Sequence, residues 1–150
     1  MARARNKKYT EQSVYDAALD RIRYLYKRFD NVIVSFSGGK DSTAVLNLTI
    51  EVARELNRLP VHAIFVDEEA IHPTTVEYVE RVQNHPDVKL DWYCLPVKHR
   101  NACSNEQPYW YCWNPDEREL WVRDLPEGLS LIHISEPTRP RFGSRMPSSA

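Results

Sequence analysis

The sequence lacks the features that mark membrane, secreted and disulfide-stabilised proteins. It has no apolar run of about 18 residues, the length that a membrane-spanning helix needs. The basic residues near its start are not followed by the apolar segment of a secretory signal. It has only three cysteines, an odd number that argues against a disulfide framework. A reduced, cytoplasmic location is therefore expected.

Net charge is also nearly absent, at −1 over 150 residues, so no overall field draws the chain onto nucleic acid or membrane. The basic residues that crowd the start are Arg3, Arg5, Lys7 and Lys8. Residues 1–9 are expected to form a solvated, flexible N-terminus. The alternative is an arm, made by residues 1–8, that binds DNA or a protein partner.

The apolar pattern predicts helices that alternate with strands. A helical stripe covers residues 10–29, with Thr10 or Ser13 as its cap. Later helices are expected to start near Asp41 and at Pro73. Apolar runs typical of buried strands occupy residues 32–34, 61–66 and 90–95. This order predicts an α/β fold, a three-layer parallel sheet with its ligand site at the carboxyl ends of the strands.

The pattern changes after Pro96. Residues 99–118 are polar and aromatic without a clean period, and residues 119–123 are expected to form a short strand or a helical turn. Residues 10–128 are predicted to be one domain. The tail, 129–150, is rich in serine and proline and is expected to be disordered. We expect the coding frame to be interrupted near Gly128–Leu131, with a non-native tail and a domain incomplete at its C-terminus.

Six residues, SGGKDS, follow the first predicted strand. Gly38 and Gly39 let the backbone turn sharply and approach an anion closely. The start of the next helix adds N–H donors and a positive dipole end. Lys40 adds a charge, and Ser37 and Ser42 add hydroxyl donors. This combination predicts a phosphate-binding loop.

Two better-known phosphate loops do not fit these residues. A Walker A loop anchored on Gly39 and Lys40 would need glycine at Val34 and serine or threonine at Asp41. The dinucleotide pattern fails because no glycine follows Gly39 until Gly128. A plain strand–helix turn remains as the alternative, but it requires neither the lysine nor the paired serines.

The hexapeptide resembles the PP-loop of the ATP pyrophosphatase superfamily. From about Asn31 to Leu95 the chain is similar to the phosphoadenosine phosphosulfate (PAPS) reductase-like family, which has the adenine nucleotide alpha hydrolase-like fold. The resemblance implies that ATP or a sulfonucleotide binds the loop, that the α-phosphate is attacked and that pyrophosphate leaves. It also implies that Lys40 stabilises charge on the departing phosphates and that Asp41 holds Mg²⁺ or orients the loop.

Asp67 ends the second predicted strand, at the same sheet edge as the loop. In the sulfonucleotide branch, which this region resembles, that strand also ends in an aspartate. Asp67 is therefore expected to contact the nucleotide or, with Asp41, Mg²⁺; a turn or helix cap is the alternative. Glu68 and Glu69 are expected to be solvated. His72 lies near this edge but alone.

Two departures from the family bear on the chemistry. Reductases of this family usually lack the Lys-Asp pair. Because this chain keeps Lys40 and Asp41, its loop is more similar to that of the small subunit of ATP sulfurylase. None of Cys94, Cys103 and Cys112 lies in a Glu-Cys-Gly motif, so thiol-based reduction of sulfate is poorly supported. Cys103 and Cys112 are not at a zinc spacing, although His99 is near, so neither zinc nor an Fe–S cluster is predicted.

The aromatic and cysteine-rich segment from 101 to 123 resembles phage- and prophage-associated regulators of the IbrA type. Its tryptophans, Trp110, Trp113 and Trp121, are expected to pack over the sheet edge as a lid on the nucleotide. Two functions are predicted. One is an ATP-using enzyme that releases pyrophosphate, with sulfate or a related oxyanion as the implied nucleophile. The other is a nucleotide-binding regulator of phage or mobile-element gene expression.

Overall fold

The computed structural model describes residues 11–126 and residue 129. The predictions for residues 1–9, and for all of the tail except Leu129, lie outside these residues. No described helix is long and apolar enough to cross a membrane. The elements, in chain order, are α1 (Val14–Arg28), β1 (Ile33–Ser35), α2 (Lys40–Glu55), β2 (Val61–Asp67), α3 (Pro73–Gln83), β3 (Val88–Cys94), β4 (Val97–Arg100), β5 (Tyr109–Cys112) and a 3₁₀ segment (Pro115–Leu120).

The first three strands form a parallel sheet in the order β1-β2-β3. Ser35 is paired with Ile64, and Asp67 is paired with Cys94. Because the strands run in one direction, the loops that follow β1 and β2 meet at one edge of the sheet. The predicted α/β fold with a parallel sheet and intervening helices is confirmed.

Local sequence signals set the starts of two helices. The Ser13 side chain accepts a hydrogen bond from the Asp16 N–H at 3.1 Å and caps α1, as predicted. Pro73 is the first residue of α3, also as predicted. The Nδ1 atom of His72 accepts from the Thr74 N–H at 3.3 Å, so His72 caps this helix.

One face of the sheet carries the core. Phe36 lies between Phe65 of β2 and Tyr78 of α3, with ring centroids 6.4 and 6.0 Å away. On the opposite face Val66 is 47% exposed, so the described residues cover the two faces unequally. Buried and less buried side chains alternate along β2, because successive side chains of a strand point to opposite faces of the sheet. The buried side chains of β2 are Val61, Ala63, Phe65 and Asp67.

The segment after Pro96 is more regular than the sequence indicates. β4 and β5 form an antiparallel hairpin in which Val97 is paired with Cys112 and His99 with Trp110. A 3₁₀ segment then starts after Asn114, whose side chain accepts from the Asp116 N–H at 3.2 Å. Of residues 119–123, expected to form a short strand or a helical turn, only Glu119 and Leu120 lie in this 3₁₀ segment, which begins earlier because Asn114 supplies a cap.

Candidate functional site

The loop between β1 and α2 is held in shape by its two serines. The Ser42 hydroxyl accepts from the Ser37 N–H at 3.2 Å and donates to the Gly39 carbonyl at 3.0 Å. The Ser37 and Ser42 hydroxyl oxygens are 3.0 Å apart. Both hydroxyls therefore support the turn itself, whereas the sequence suggested that they were donors for a ligand.

Gly38 occupies a position that strongly favours glycine. Its φ of +73° lies in the left-handed region, which side chains other than glycine rarely adopt. A Cβ atom there would lie 2.7 Å from Cγ2 of Thr75 and 3.3 Å from Cγ2 of Val79, both on α3. The loop therefore packs directly against the start of α3.

The first turn of α2 follows at once and is open to a ligand. Gly39 is the N-cap and makes no side-chain cap bond. The N–H groups of Lys40, Asp41 and Ser42 have no carbonyl four residues earlier within the helix. The Lys40 ammonium lies 3.6 Å from the Asp41 carboxylate, and both side chains are 92% exposed. Backbone donors and an exposed cation thus share one helix end, an arrangement suited to anions.

Asp67 lies at the same sheet edge but is enclosed by protein. Its Oδ1 accepts from the Glu69 N–H at 2.8 Å, and its Oδ2 accepts from the Trp92 indole at 2.9 Å. Nη2 of Arg123 lies 2.5 Å from both oxygens. The structure therefore brings the six loop residues together in one turn, whereas the Asp67 carboxylate faces Arg123 and Trp92.

Glu69 is also buried, so the prediction that it is solvated is wrong; Glu68 is exposed, as predicted. The Glu69 carboxylate accepts from the backbone N–H groups of Trp113 at 2.6 Å and Val122 at 2.7 Å. Its carbonyl accepts from Nε of Arg123 at 3.0 Å. A segment that is distant in sequence therefore folds back onto this turn and buries the Glu69 side chain.

Two of the three tryptophans, Trp113 and Trp121, pack at this end of the sheet as predicted, and their role as a lid on a nucleotide stays a prediction. Trp113 is buried, and its indole donates to the Asp67 carbonyl at 2.8 Å. Trp121 meets Trp113 edge to face, with ring centroids 5.1 Å apart. Trp110 instead stacks on His99 in the hairpin, at 5.2 Å.

The three cysteines are free, and they occupy different environments. Burial and the neighbouring Asp67 carboxylate raise the pKa of the Cys94 thiol to about 12. Cys112 is buried and donates to the Leu95 carbonyl at 3.2 Å, whereas Cys103 is exposed. Across residues 11–126, no group of three or more His, Cys, Asp or Glu side chains is placed to hold a metal ion.

Sequence reasoning missed two residues of this edge, Arg123 and Glu69. A carboxylate at the end of a buried strand signals that a partner is needed, but no local pattern says which basic residue supplies it. Arg123 follows an apolar pair and has no periodic neighbours that would mark it as buried.

Comparison with known proteins identifies the family. Residues 31–116 match the family model described as "Phosphoadenosine phosphosulfate reductase domain". The chain is 38% identical over 118 residues to "Uncharacterized protein YbdN" of Escherichia coli (strain K12). That alignment covers 77% of this chain but only 28% of the relative. The matched region contains β1, the loop, Asp67 and the hairpin, and the chain belongs to the phosphoadenosine phosphosulfate reductase domain family.

Proposed function

We propose that the loop from Ser37 to Ser42 binds the phosphates of ATP or of a sulfonucleotide. Membership of the family supports binding of a nucleotide and a function related to sulfonucleotides. The observation on which this phosphate site rests is that α2 starts at Lys40, two residues after Gly38, whose backbone is left-handed. Unpaired first-turn N–H groups and an exposed ammonium then lie at one helix end.

The chemistry that we propose is of the PP-loop type. A nucleophile attacks the α-phosphorus of ATP, the bond between that phosphorus and the bridging oxygen breaks, and pyrophosphate leaves. Lys40 stabilises the negative charge that the pyrophosphate gains, because its ammonium is exposed and only weakly held by Asp41. Sulfate or a related oxyanion is the nucleophile that we propose.

Asp41 is the carboxylate that fits Mg²⁺ in this proposal. It is exposed and lies in the first turn of α2, whereas both oxygens of Asp67 already accept hydrogen bonds. Mg²⁺ is commonly held by one or two carboxylates together with substrate phosphates and water. The ion would neutralise phosphate charge. We assign Asp67 to hold the edge of the site through Arg123.

The experiment follows ATP with candidate oxyanions by phosphorus NMR, on the full chain with Mg²⁺. Pyrophosphate together with an AMP-derived product is expected. ADP with inorganic phosphate would reject α-phosphate chemistry. A separate titration with nucleotide measures binding even if no turnover occurs. Loss of activity and loss of binding can therefore be distinguished.

The second candidate is a nucleotide-binding regulator of phage or mobile-element genes, in the IbrA-like branch. The basic start and the aromatic segment motivate it. A DNA mobility shift that weakens with salt, survives Lys40→Ala and disappears when residues 1–8 are deleted would support an arm-driven role. No shift at low salt would count against it.

The domain limits and the location are part of the proposal. We assign nucleotide binding to residues 10–128. The chain spans about 28% of the length of the curated relative that it matches, so the activity of the whole protein is proposed and not inferred from that relative. Three free cysteines fit a reduced compartment, and we place the protein in the cytoplasm.

A further inference from the structure

A cavity of about 420 Å³ lies between the hairpin and the 3₁₀ segment, and none of the residues from 37 to 42 lines it. Its volume is in the range of small-molecule sites. Aromatic and apolar side chains form most of its wall, and its only charged lining side chains in the described part of the chain are carboxylates. The lining residues on which the inference rests are Glu69, Tyr109, Tyr111, Glu117 and Trp121.

Glu69 gives this cavity its unusual electrostatics. The residue is 2% exposed, and its carboxylate oxygens accept from two neutral backbone N–H groups. Among residues 11–126, the ion pair formed at this end of the sheet is between Arg123 and Asp67, and no basic side chain pairs with Glu69. A buried carboxylate without a countercharge is costly, so a cation entering the cavity would be stabilised.

The aromatic rings of the wall already attract cations of the chain itself. The Lys98 ammonium lies 4.3 Å from the centroid of the Tyr109 ring and 5.6 Å from that of Tyr111. The Arg118 guanidinium lies 5.3 Å from the centroid of the Trp121 ring. Both basic side chains belong to exposed residues, so a ligand cation can compete with them for the ring faces.

We infer that this cavity is a binding site for a small organic cation, an ammonium or guanidinium group on an apolar body. The rings supply cation–π contacts and apolar area, and Glu69 and Glu117 supply the opposite charge. The same carboxylates would repel a sulfate or a phosphate. The inference does not depend on nucleotide binding at the loop.

The test compares choline with 3,3-dimethyl-1-butanol, a neutral molecule of nearly the same shape, and adds agmatine as the guanidinium probe. Binding to the full chain is followed by tryptophan fluorescence, because Trp121 lines the cavity. Choline is expected to bind about tenfold more tightly than the neutral molecule, in keeping with a partly desolvated cation–π site. Equal affinities would overturn the inference, as would failure of both choline and agmatine to bind.

Charge variants make the test specific. Glu117→Gln should weaken choline binding several-fold, and Glu77→Gln, an exposed carboxylate on α3, should leave it unchanged. Lys98→Gln should strengthen choline binding, because it removes a competing cation from the two tyrosines. Weaker choline binding in Lys98→Gln would overturn the inference, since it would show that Lys98 does not compete with the ligand for the tyrosine rings.

Two controls distinguish cation binding in the cavity from a folding defect and from binding at the phosphate loop. Glu69→Gln can fail to fold, because the Glu69 carboxylate accepts hydrogen bonds from two backbone N–H groups. The charge test therefore uses Glu117→Gln, and a thermal melt verifies that this variant is folded. Lys40→Ala should leave choline affinity unchanged even if it abolishes nucleotide binding. A parallel loss of choline affinity would show that the cavity is not a separate site.

Discussion

Arg123 neutralises Asp67 across 56 residues of sequence. One guanidinium nitrogen lies 2.5 Å from each oxygen of a carboxylate that is 0% exposed, while the arginine side chain is 21% exposed. A buried carboxylate that loses its cationic partner is strongly destabilising. The pair therefore attaches the C-terminal part of the described chain to the end of β2.

Replacing Arg123 should destabilise the fold. Arg123→Met leaves the Asp67 charge buried without its cation, and we expect the free energy of unfolding to fall by about 3–5 kcal/mol. Urea denaturation followed by circular dichroism measures this change. Arg21→Met, at an exposed position on α1, is the matched control and should change stability little.

The double variant Arg123→Met with Asp67→Leu removes both charges of the pair. We expect it to recover part of the lost stability, because no buried charge then lacks a partner. If the single variant is as stable as the Arg21→Met control, the ion pair does not hold this edge of the sheet.

Gly38→Ala should disturb the loop more than Gly39→Ala. The first substitution forces a side chain into the left-handed region, at a cost of about 1–2 kcal/mol, and brings its Cβ against Thr75. Gly39 has φ of −80°, and its Cβ would meet only the Ser37 hydroxyl oxygen at 3.4 Å. Thermal melts of both variants give the comparison. Equal losses of stability would contradict the packing of Gly38 against α3.

Lys40→Ala should weaken nucleotide binding about 10- to 100-fold while leaving the fold intact, as expected when a charged hydrogen-bond donor to phosphate is lost. The side chain is 92% exposed, so no core contact is removed. Titration of ATP by calorimetry at two salt concentrations measures the loss and its screening. Lys27→Ala, an exposed lysine in the last turn of α1, is the control. An unchanged affinity in Lys40→Ala would remove the lysine from the site.

Alkaline pH should destabilise the fold through Cys94. The pKa of this thiol rises from 9.0 to about 12 on folding, because burial and Asp67 disfavour the thiolate. The stabilising contribution is therefore complete below pH 9 and is lost as pH rises towards about 12. Unfolding free energies across this window should fall less steeply in Cys94→Ala than in the unchanged chain. Cys103→Ala, which alters an exposed cysteine, should retain the full slope.

The sheet and its helices could be predicted because their signals are local. Ser13 and Pro73 mark helix starts within one turn, and the apolar runs of β1 to β3 are continuous in sequence. The glycine pair likewise marks the loop before any contact is known. The observed bounds differ from the predicted ones by a residue or two. For example, β3 was predicted to begin at Leu90 and begins at Val88.

The surroundings of Asp67 could not be predicted, because they depend on distant pairings. The hairpin joins Val97 to Cys112, and neither strand has the clean alternation that would mark it. Glu69 has the pattern of a solvated acid until Trp113 and Val122 donate to it. The sequence therefore placed Asp67 correctly at the carboxyl end of β2 but did not predict that Asp67 and Glu69 would both be buried.

The link between Asp67 and Arg123 has a consequence for synthesis of the chain. The ribosome adds Arg123 56 residues after Asp67, when all three parallel strands have already been made. Until then the β2 carboxylate has no cationic partner, although Trp92 and Trp113, which contact the end of β2, have already been made. We expect a nascent chain to form the loop between β1 and α2 early and to keep the end of β2 open to chaperones until Arg123 emerges.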